Sequence, residues 1–225
     1  MKMDGELFRQ AIARFLGGLA LVGLMLFLPA GTWAYPRAWL LMGILFVPML
    51  IAGLILLKRR PDLLRRRLSA RETQPRQRAV IALSGLMFPA AFIAAGLDFR
   101  FGWTRLPGWV SYAAAVVFLV GYGLYAEVLR ENVWLSRTVE VQAGQKVVDT
   151  GLYGVVRHPM YMSTLIMFLS IPLVLGSAVS LAIMLLYIPI LAGRIRNEEQ
   201  VLEAGLAGYA EYRQRVKYKV IPYLW

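Results

Sequence analysis

Apolar blocks running from Phe15 to Ala30, Ala38 to Leu57, Ala79 to Leu97, Trp109 to Ala126 and Met160 to Ala192 divide the chain, and basic residues crowd against their ends. A helix needs about 20 apolar residues to cross the hydrocarbon of a bilayer, so this pattern leaves little room for a soluble fold. With 59% apolar residues and 25 Lys+Arg, the chain reads as an all-α, polytopic integral membrane protein of five to six transmembrane helices. The last block holds 33 residues, which as one helix would extend roughly 50 Å, long for one span and short for two. Pro172 and the Gly176-Ser177 pair interrupt it, which predicts a C-terminal helical hairpin turning around Leu175 to Ser177. A single kinked, tilted span is the alternative.

The net charge of +12 would suit nucleic acid only if it formed a solvated surface, whereas here it gathers beside the membrane blocks. Nine Lys/Arg lie between Lys58 and Arg78 against Asp62 and Glu72. An excess of this kind marks a cytoplasmic loop. Counting spans from it places the N-terminus with Lys2, Arg9 and Arg14, the segment from Arg130 to Pro159 and the tail from Gly193 on the same side. The outer loops, around Pro36 and Arg100 to Arg105, are short and poorer in charge, and Trp33, Trp39, Trp103 and Trp109 fall near their boundaries as an aromatic belt. Arg65-Arg66-Arg67 reads first as a topology signal and second as a holder of anionic headgroups. Asp4 and Glu6 precede the first block, which therefore reads as an uncleaved helix rather than a signal peptide.

The absence of cysteine excludes disulfides, thiolate metal sites and cysteine nucleophiles, and with one histidine no metal centre is expected. No glycine-rich nucleotide fingerprint follows a strand pattern, and there is no P-loop. Chemistry must then sit on the membrane scaffold, and two segments flanking the last apolar block are candidates. The first is a strap from about residue 131 to 159, too long for a simple connection in so compact a protein. It ends in GLYGVVRHPMY, Gly151 to Tyr161, which contains the single histidine, His158. Pro159 suits the first position of a helix, leaving His158 just outside it. The second segment opens with GRIRNEEQ, Gly193 to Gln200, where Arg194 and Glu198 stand four apart on one helix face. That pair reads either as a surface ion pair or as the wall of a pocket for a zwitterionic ligand, and spacing alone leaves both open. Leu202, Leu206, Tyr209, Tyr212 and Val216 then recur at three- and four-residue steps, predicting one amphipathic cytoplasmic helix ended by Ile221-Pro222.

Taken in order, GQKVVDTGLYGVVRHPMY, the apolar hairpin, R-x-x-x-E-E and GYAEYRQRVKYKVIPYLW resemble the isoprenylcysteine carboxyl methyltransferase and phospholipid methyltransferase group of membrane enzymes. The resemblance is specific over Gln145 to Trp225. Upstream, AGTWAYPRAWLL and LDFRFGW are similar to segments of bacterial members. It implies four N-terminal spans in residues 1–130, with the basic loop 58–78, and a catalytic region in 131–225 made of strap 131–159, hairpin 160–193 and tail helix 194–225. It also implies a cytoplasm-facing S-adenosylmethionine pocket in an integral, bacterial inner-membrane protein. Cofactor contacts would fall on Gln145, Lys146, Val147, Val148, Tyr153, His158, Pro159, Met160, Tyr161 and Glu198. Arg194 would face the methyl acceptor, so that Arg194 and Glu198 form the catalytic pair. Met160 replaces the small residue of H-P-S-Y in eukaryotic members, implying a backbone contact there, and Glu198-Glu199 stands where many bacterial members have Glu-Asp.

The function implied is methyl transfer at the membrane face to a lipid-like acceptor, such as a hydrophobic or prenylated small molecule. A carboxylate acceptor needs no general base and suits an arginine fork. An amine, as in a phospholipid, must lose a proton, which Glu198, Glu199 or His158 would take. Two other readings are a nicotinamide-dependent membrane reductase, since sterol reductases have a related C-terminal architecture, and a non-catalytic lipid-binding membrane protein.

Overall fold

The protein is described by a computed structural model covering residues 5–68, 75–136 and 138–225. The expected N-terminal charges Lys2 and Asp4, and Arg71 and Glu72 of the basic loop, lie outside these residues. The described residues are helical wherever they are regular: α1 (Gly5–Ala30), α2 (Pro36–Arg59), α3 (Pro61–Leu68), α4 (Pro75–Phe101), α5 (Gly108–Glu131), α6 (Pro159–Leu175), α7 (Ala178–Met184), α8 (Tyr187–Gly205) and α9 (Tyr209–Arg215).

Five helical stretches are long and apolar enough to cross a membrane: α1, α2, Val80–Phe101 of α4, α5, and the run Ala178–Gly205. At most 28% of the most apolar part of any of them is buried within the protein, so their side chains face a surrounding apolar phase rather than a soluble core. Large apolar residues such as Leu28, Leu86 and Val116 stand exposed on these helices. The chain is an integral membrane protein. Its helices associate as membrane helices do, through small residues that let backbones approach. Gly96 of α4 abuts the backbone of Leu26 and Ala30 in α1, and Gly121 of α5 abuts Ser163 and Met167 of α6.

The last apolar block breaks where Gly176 takes a left-handed conformation (φ 77°) and Ser177 caps α7 by accepting from the Ser180 N–H. The chain then runs back along α6: Thr164 meets Tyr187 hydroxyl to hydroxyl at 3.0 Å, and Tyr161 meets Arg194 at 2.8 Å. The fully buried Tyr35 ties this turn to the neighbouring loop, donating from its hydroxyl to the Leu175 carbonyl at 2.9 Å. The bundle thus has a far face, formed by loops 31–35 and 102–107 and the turn at 176–177, and a site face at the other ends of the helices.

At the site face the expected single tail helix is divided. α8 ends at Gly205, the chain turns through Gly208 (φ 82°), and α9 ends at Arg215, well before Ile221-Pro222. Leu206, Tyr209, Tyr212 and Val216 nonetheless bury together against Val141, Val147 and Leu202, so the apolar spacing survives the break because the turn keeps one face toward the strap. Beyond α9 the backbone pairs with the strap, the N–H groups of Arg157 and His158 donating to the carbonyls of Tyr218 and Lys219 at 2.9 and 2.8 Å.

Candidate functional site

α6 begins at Pro159, whose missing N–H costs nothing at a helix start, and His158 is its N-cap residue. The histidine is thereby held at the mouth of the helix pair, 5% exposed, and stacks on Tyr161 with ring centroids 5.6 Å apart. Its Nε2 lies 3.3 Å from Glu199 Oε1, and its Nδ1 lies 3.8 Å from Glu198 Oε1.

Successive residues of a helix point about 100° apart, and the two glutamates separate accordingly. Glu198 turns into a pocket between α6, α8, α9 and the strap, where the Tyr161 hydroxyl donates to it while accepting from Arg194 Nε. Glu199 turns toward the buried Arg157, whose Nε donates to it at 2.8 Å. Arg157 Nη1 also donates to the carbonyls of Val216 and Lys217 at 2.7 and 2.8 Å, and Lys219 Nζ stands 3.4 Å from the second Glu199 oxygen. Side-chain exposures of 4% and 7% make Arg157 and Glu199 a desolvated pair, which the carbonyls of Val216 and Lys217 on the arginine and Lys219 on the glutamate help to compensate.

The pocket is lined by Gln145, Lys146, Val147, Val148, Tyr153, His158, Met160, Tyr161, Arg194 and Glu198, so one cavity gathers these widely separated residues. Pro159 does not line it: fixed in the first turn of α6, it is buried and sets the helix start instead. Reading the sequence missed Asn132, Trp134, Leu135, Arg157 and Tyr209, which also line the pocket. Asn132 donates to the Tyr153 hydroxyl at 2.8 Å, and Tyr212 donates to the Tyr153 carbonyl at 2.8 Å, fixing the strap over the pocket. Burial pushes the phenols of Tyr153, Tyr209 and Tyr212 well above the usual tyrosine value, so they stay protonated donors. The Tyr209 hydroxyl is buried and has no hydrogen-bond partner among the described residues. A tyrosine in an amphipathic repeat reads as packing, and no sequence signal distinguishes an orphaned hydroxyl.

A second cavity adjoins the first. It lies among α1, α4, α6 and α8, with walls such as Leu21, Phe88, Phe168, Tyr187 and Ile190, and it shares Met160, Tyr161 and Arg194, together with Ser136 and Thr138, with the polar pocket. Arg67 of α3 also lines it, with its guanidinium 5.4 Å from the Tyr125 ring centroid. The Arg194 guanidinium lies 5.8 Å from the Tyr161 ring centroid.

The sequence model of the phospholipid methyltransferase family matches residues 109–207. A solved structure of the eukaryotic intramembrane Ras methyltransferase ICMT, an isoprenylcysteine carboxyl methyltransferase, superposes with a TM-score of 0.59 over 95% of this chain and 77% of that one, at 21% identity, and so shares its fold. The Delta(14)-sterol reductase TM7SF2 of Mus musculus is 34% identical over 91 residues, which is 39% of this chain but 22% of the reductase. The chain therefore spans about a fifth of the length of that curated relative. The family match over residues 109–207 and the fold shared across 95% of the chain make this protein similar to the polytopic membrane methyltransferases.

Proposed function

We propose that this protein transfers a methyl group from S-adenosylmethionine to a carboxylate on a hydrophobic, prenyl-like acceptor at the membrane surface. The observation that carries the reading is the pair of adjoining cavities, one polar and one apolar, with Tyr161, Arg194 and Met160 as their common wall.

The polar pocket suits the cofactor by its donor set. Glu198 offers a carboxylate to an ammonium or a ribose hydroxyl, Trp134 and Tyr153 offer faces to an adenine, and the orphaned Tyr209 hydroxyl awaits a partner. Gln145, Lys146, Val147, Val148, His158, Met160 and Tyr161 complete the enclosure. S-adenosylmethionine supplies an electrophilic methyl on a sulfonium. This chain's residues position and exclude water: Arg194 holds the acceptor carboxylate against the shared wall, and the strap closes the polar side. Transfer of that methyl to a carboxylate, with the thioether as leaving group, would neutralise both charges, so no side chain here would have to take a proton. The walls of the apolar cavity accommodate an acyl or prenyl chain entering from the bilayer.

In this reading the protein is a bacterial-type member whose site face, both termini and basic loop are cytoplasmic, with α6 to α8 forming the membrane hairpin. An amine acceptor, as the phospholipid methyltransferase match suggests, is the alternative, and Glu198, Glu199 or His158 would then take the proton. The similarity to the sterol reductase favours a second reading, a nicotinamide-dependent reductase.

The test is transfer of labelled methyl from S-adenosylmethionine into the organic extract of membranes carrying the protein, with a Glu198→Gln/His158→Ala variant as control. Enzyme-dependent label released as a volatile by mild alkali is expected, and base-stable label would assign an amine. Absence of label, together with binding of a nicotinamide dinucleotide in place of S-adenosylmethionine, would transfer the protein to the reductase reading.

A further inference from the structure

A third pocket lies at the far face of the bundle, a helix length from the site: α6, with 17 residues between them, spans roughly 25 Å. Arg37, Arg100 and Arg105 line it together with Asp98. These four are the charged residues of the far-face loops and helix ends, three cations against one anion. Cations are depleted from the non-cytoplasmic side of short-looped membrane proteins, so three arginines there need a reason.

The aspartate is not that reason. Asp98, 2% exposed, accepts from the Thr104 N–H at 2.7 Å and from the hydroxyls of Thr104 and Ser177, and it serves as the knot joining the α4–α5 loop to the turn before α7. None of the three arginines has a carboxylate within ion-pair distance among the described residues. Each is instead seated against a left-handed glycine that ends a helix. The Arg37 guanidinium fills the space beside Gly176, Arg100 lies 3.4 Å from where a Cβ of Gly31 would stand, and Arg105 lies 4.0 Å from that of Gly102. Helix C-termini favour cations, but the N-termini of α2, α5 and α7 open at the same face and offset that field. Arg37 itself sits in the first turn of α2, where a cation is disfavoured. The pocket therefore keeps an uncompensated positive charge, held in place by backbone shape, and the indoles of Trp33, Trp39, Trp103 and Trp109, in the neighbouring loops and helix starts, are exposed as interfacial tryptophans are.

We propose that this far-face pocket binds a phosphate-bearing anion, namely the headgroup of an anionic phospholipid in the leaflet opposite the active site, with guanidinium forks on the phosphate oxygens. The proposal is independent of the methyl acceptor, since no residue of this pocket lines either cavity at the site face.

Purified protein in neutral detergent micelles is melted with increasing phosphatidylglycerol, with phosphatidylcholine, or with inorganic phosphate. The expected result is a melting midpoint that climbs with phosphatidylglycerol and not with phosphatidylcholine, and whose climb is abolished in Arg100→Gln/Arg105→Gln. This double variant leaves the Arg37 contacts to Gly176 and the Leu106 carbonyl intact, so its midpoint without lipid reports whether the fold is unharmed. An equal climb with inorganic phosphate, likewise lost in the variant, would assign the same pocket to a free oxyanion. A climb that survives the double variant, or no climb with either phosphate source, would overturn the proposal.

Discussion

Neighbouring residues on α8 face different environments, and their substitutions should separate cleanly. Glu199 is locked to Arg157 in a desolvated pair that also anchors the carbonyls of Val216 and Lys217. Glu199→Ala strips the buried Arg157 of its carboxylate and should cost about 3–5 kcal/mol of stability, read as a lowered melting midpoint in detergent. Arg157→Ala should cost less, because Glu199 keeps Lys219 at 3.4 Å and His158 at 3.3 Å. Glu198→Gln should leave that midpoint near its wild-type value and instead weaken S-adenosylmethionine binding in a calorimetric titration. Tyr209→Phe removes a hydroxyl with no partner among the described residues, so the fold should not suffer. Cofactor affinity should fall about threefold to tenfold, the worth of one ordinary hydrogen bond, and an unchanged affinity would remove Tyr209 from the proposed contacts. Arg157 stood in plain view beside His158, yet its partner is 42 residues further along, and no local rule of spacing pairs them.

The spans and the start of α6 were legible at the level of elements because each rests on local physics: a run of apolar residues, or a proline that tolerates the first turn of a helix. The break between α8 and α9 was not, because Leu202, Leu206, Tyr209, Tyr212 and Val216 keep their spacing through a turn that returns the same face to the strap. Nor was the pairing of residues 218 and 219 with 157 and 158, which depends on two hydrogen bonds between distant segments. Close helix crossings offer a sharper test at this scale. A Cβ on Gly96 would stand 2.6 Å from the Leu26 carbonyl oxygen, and backbone cannot move aside as a side chain can. Gly96→Val should push α1 off α4 and lower the melting midpoint strongly, whereas Gly85→Val, on the same helix with nothing within 4 Å of its Cβ position, should be tolerated. Equal effects at the two positions would mean that helix propensity, not the α1–α4 contact, sets the cost.

Across the whole molecule, the candidate site occupies one face, while the other carries the Asp98 knot and its arginines. The resemblance to membrane methyltransferases was readable from motifs in the second half of the chain, whereas the adjoining cavities became visible only once α1 and α4 were set beside α6 and α8. That adjacency has a kinetic corollary. One reactant would be counted in moles per litre of water and the other in moles per mole of lipid, because they would arrive through different phases at a shared wall. Diluting the acceptor with inert lipid at fixed bulk concentration should therefore raise its apparent KM in proportion, while the KM for S-adenosylmethionine stays where it was. Initial rates measured across a series of mixed vesicles would read this directly, and a cofactor KM that climbed alongside would mean that both reactants draw on the same compartment.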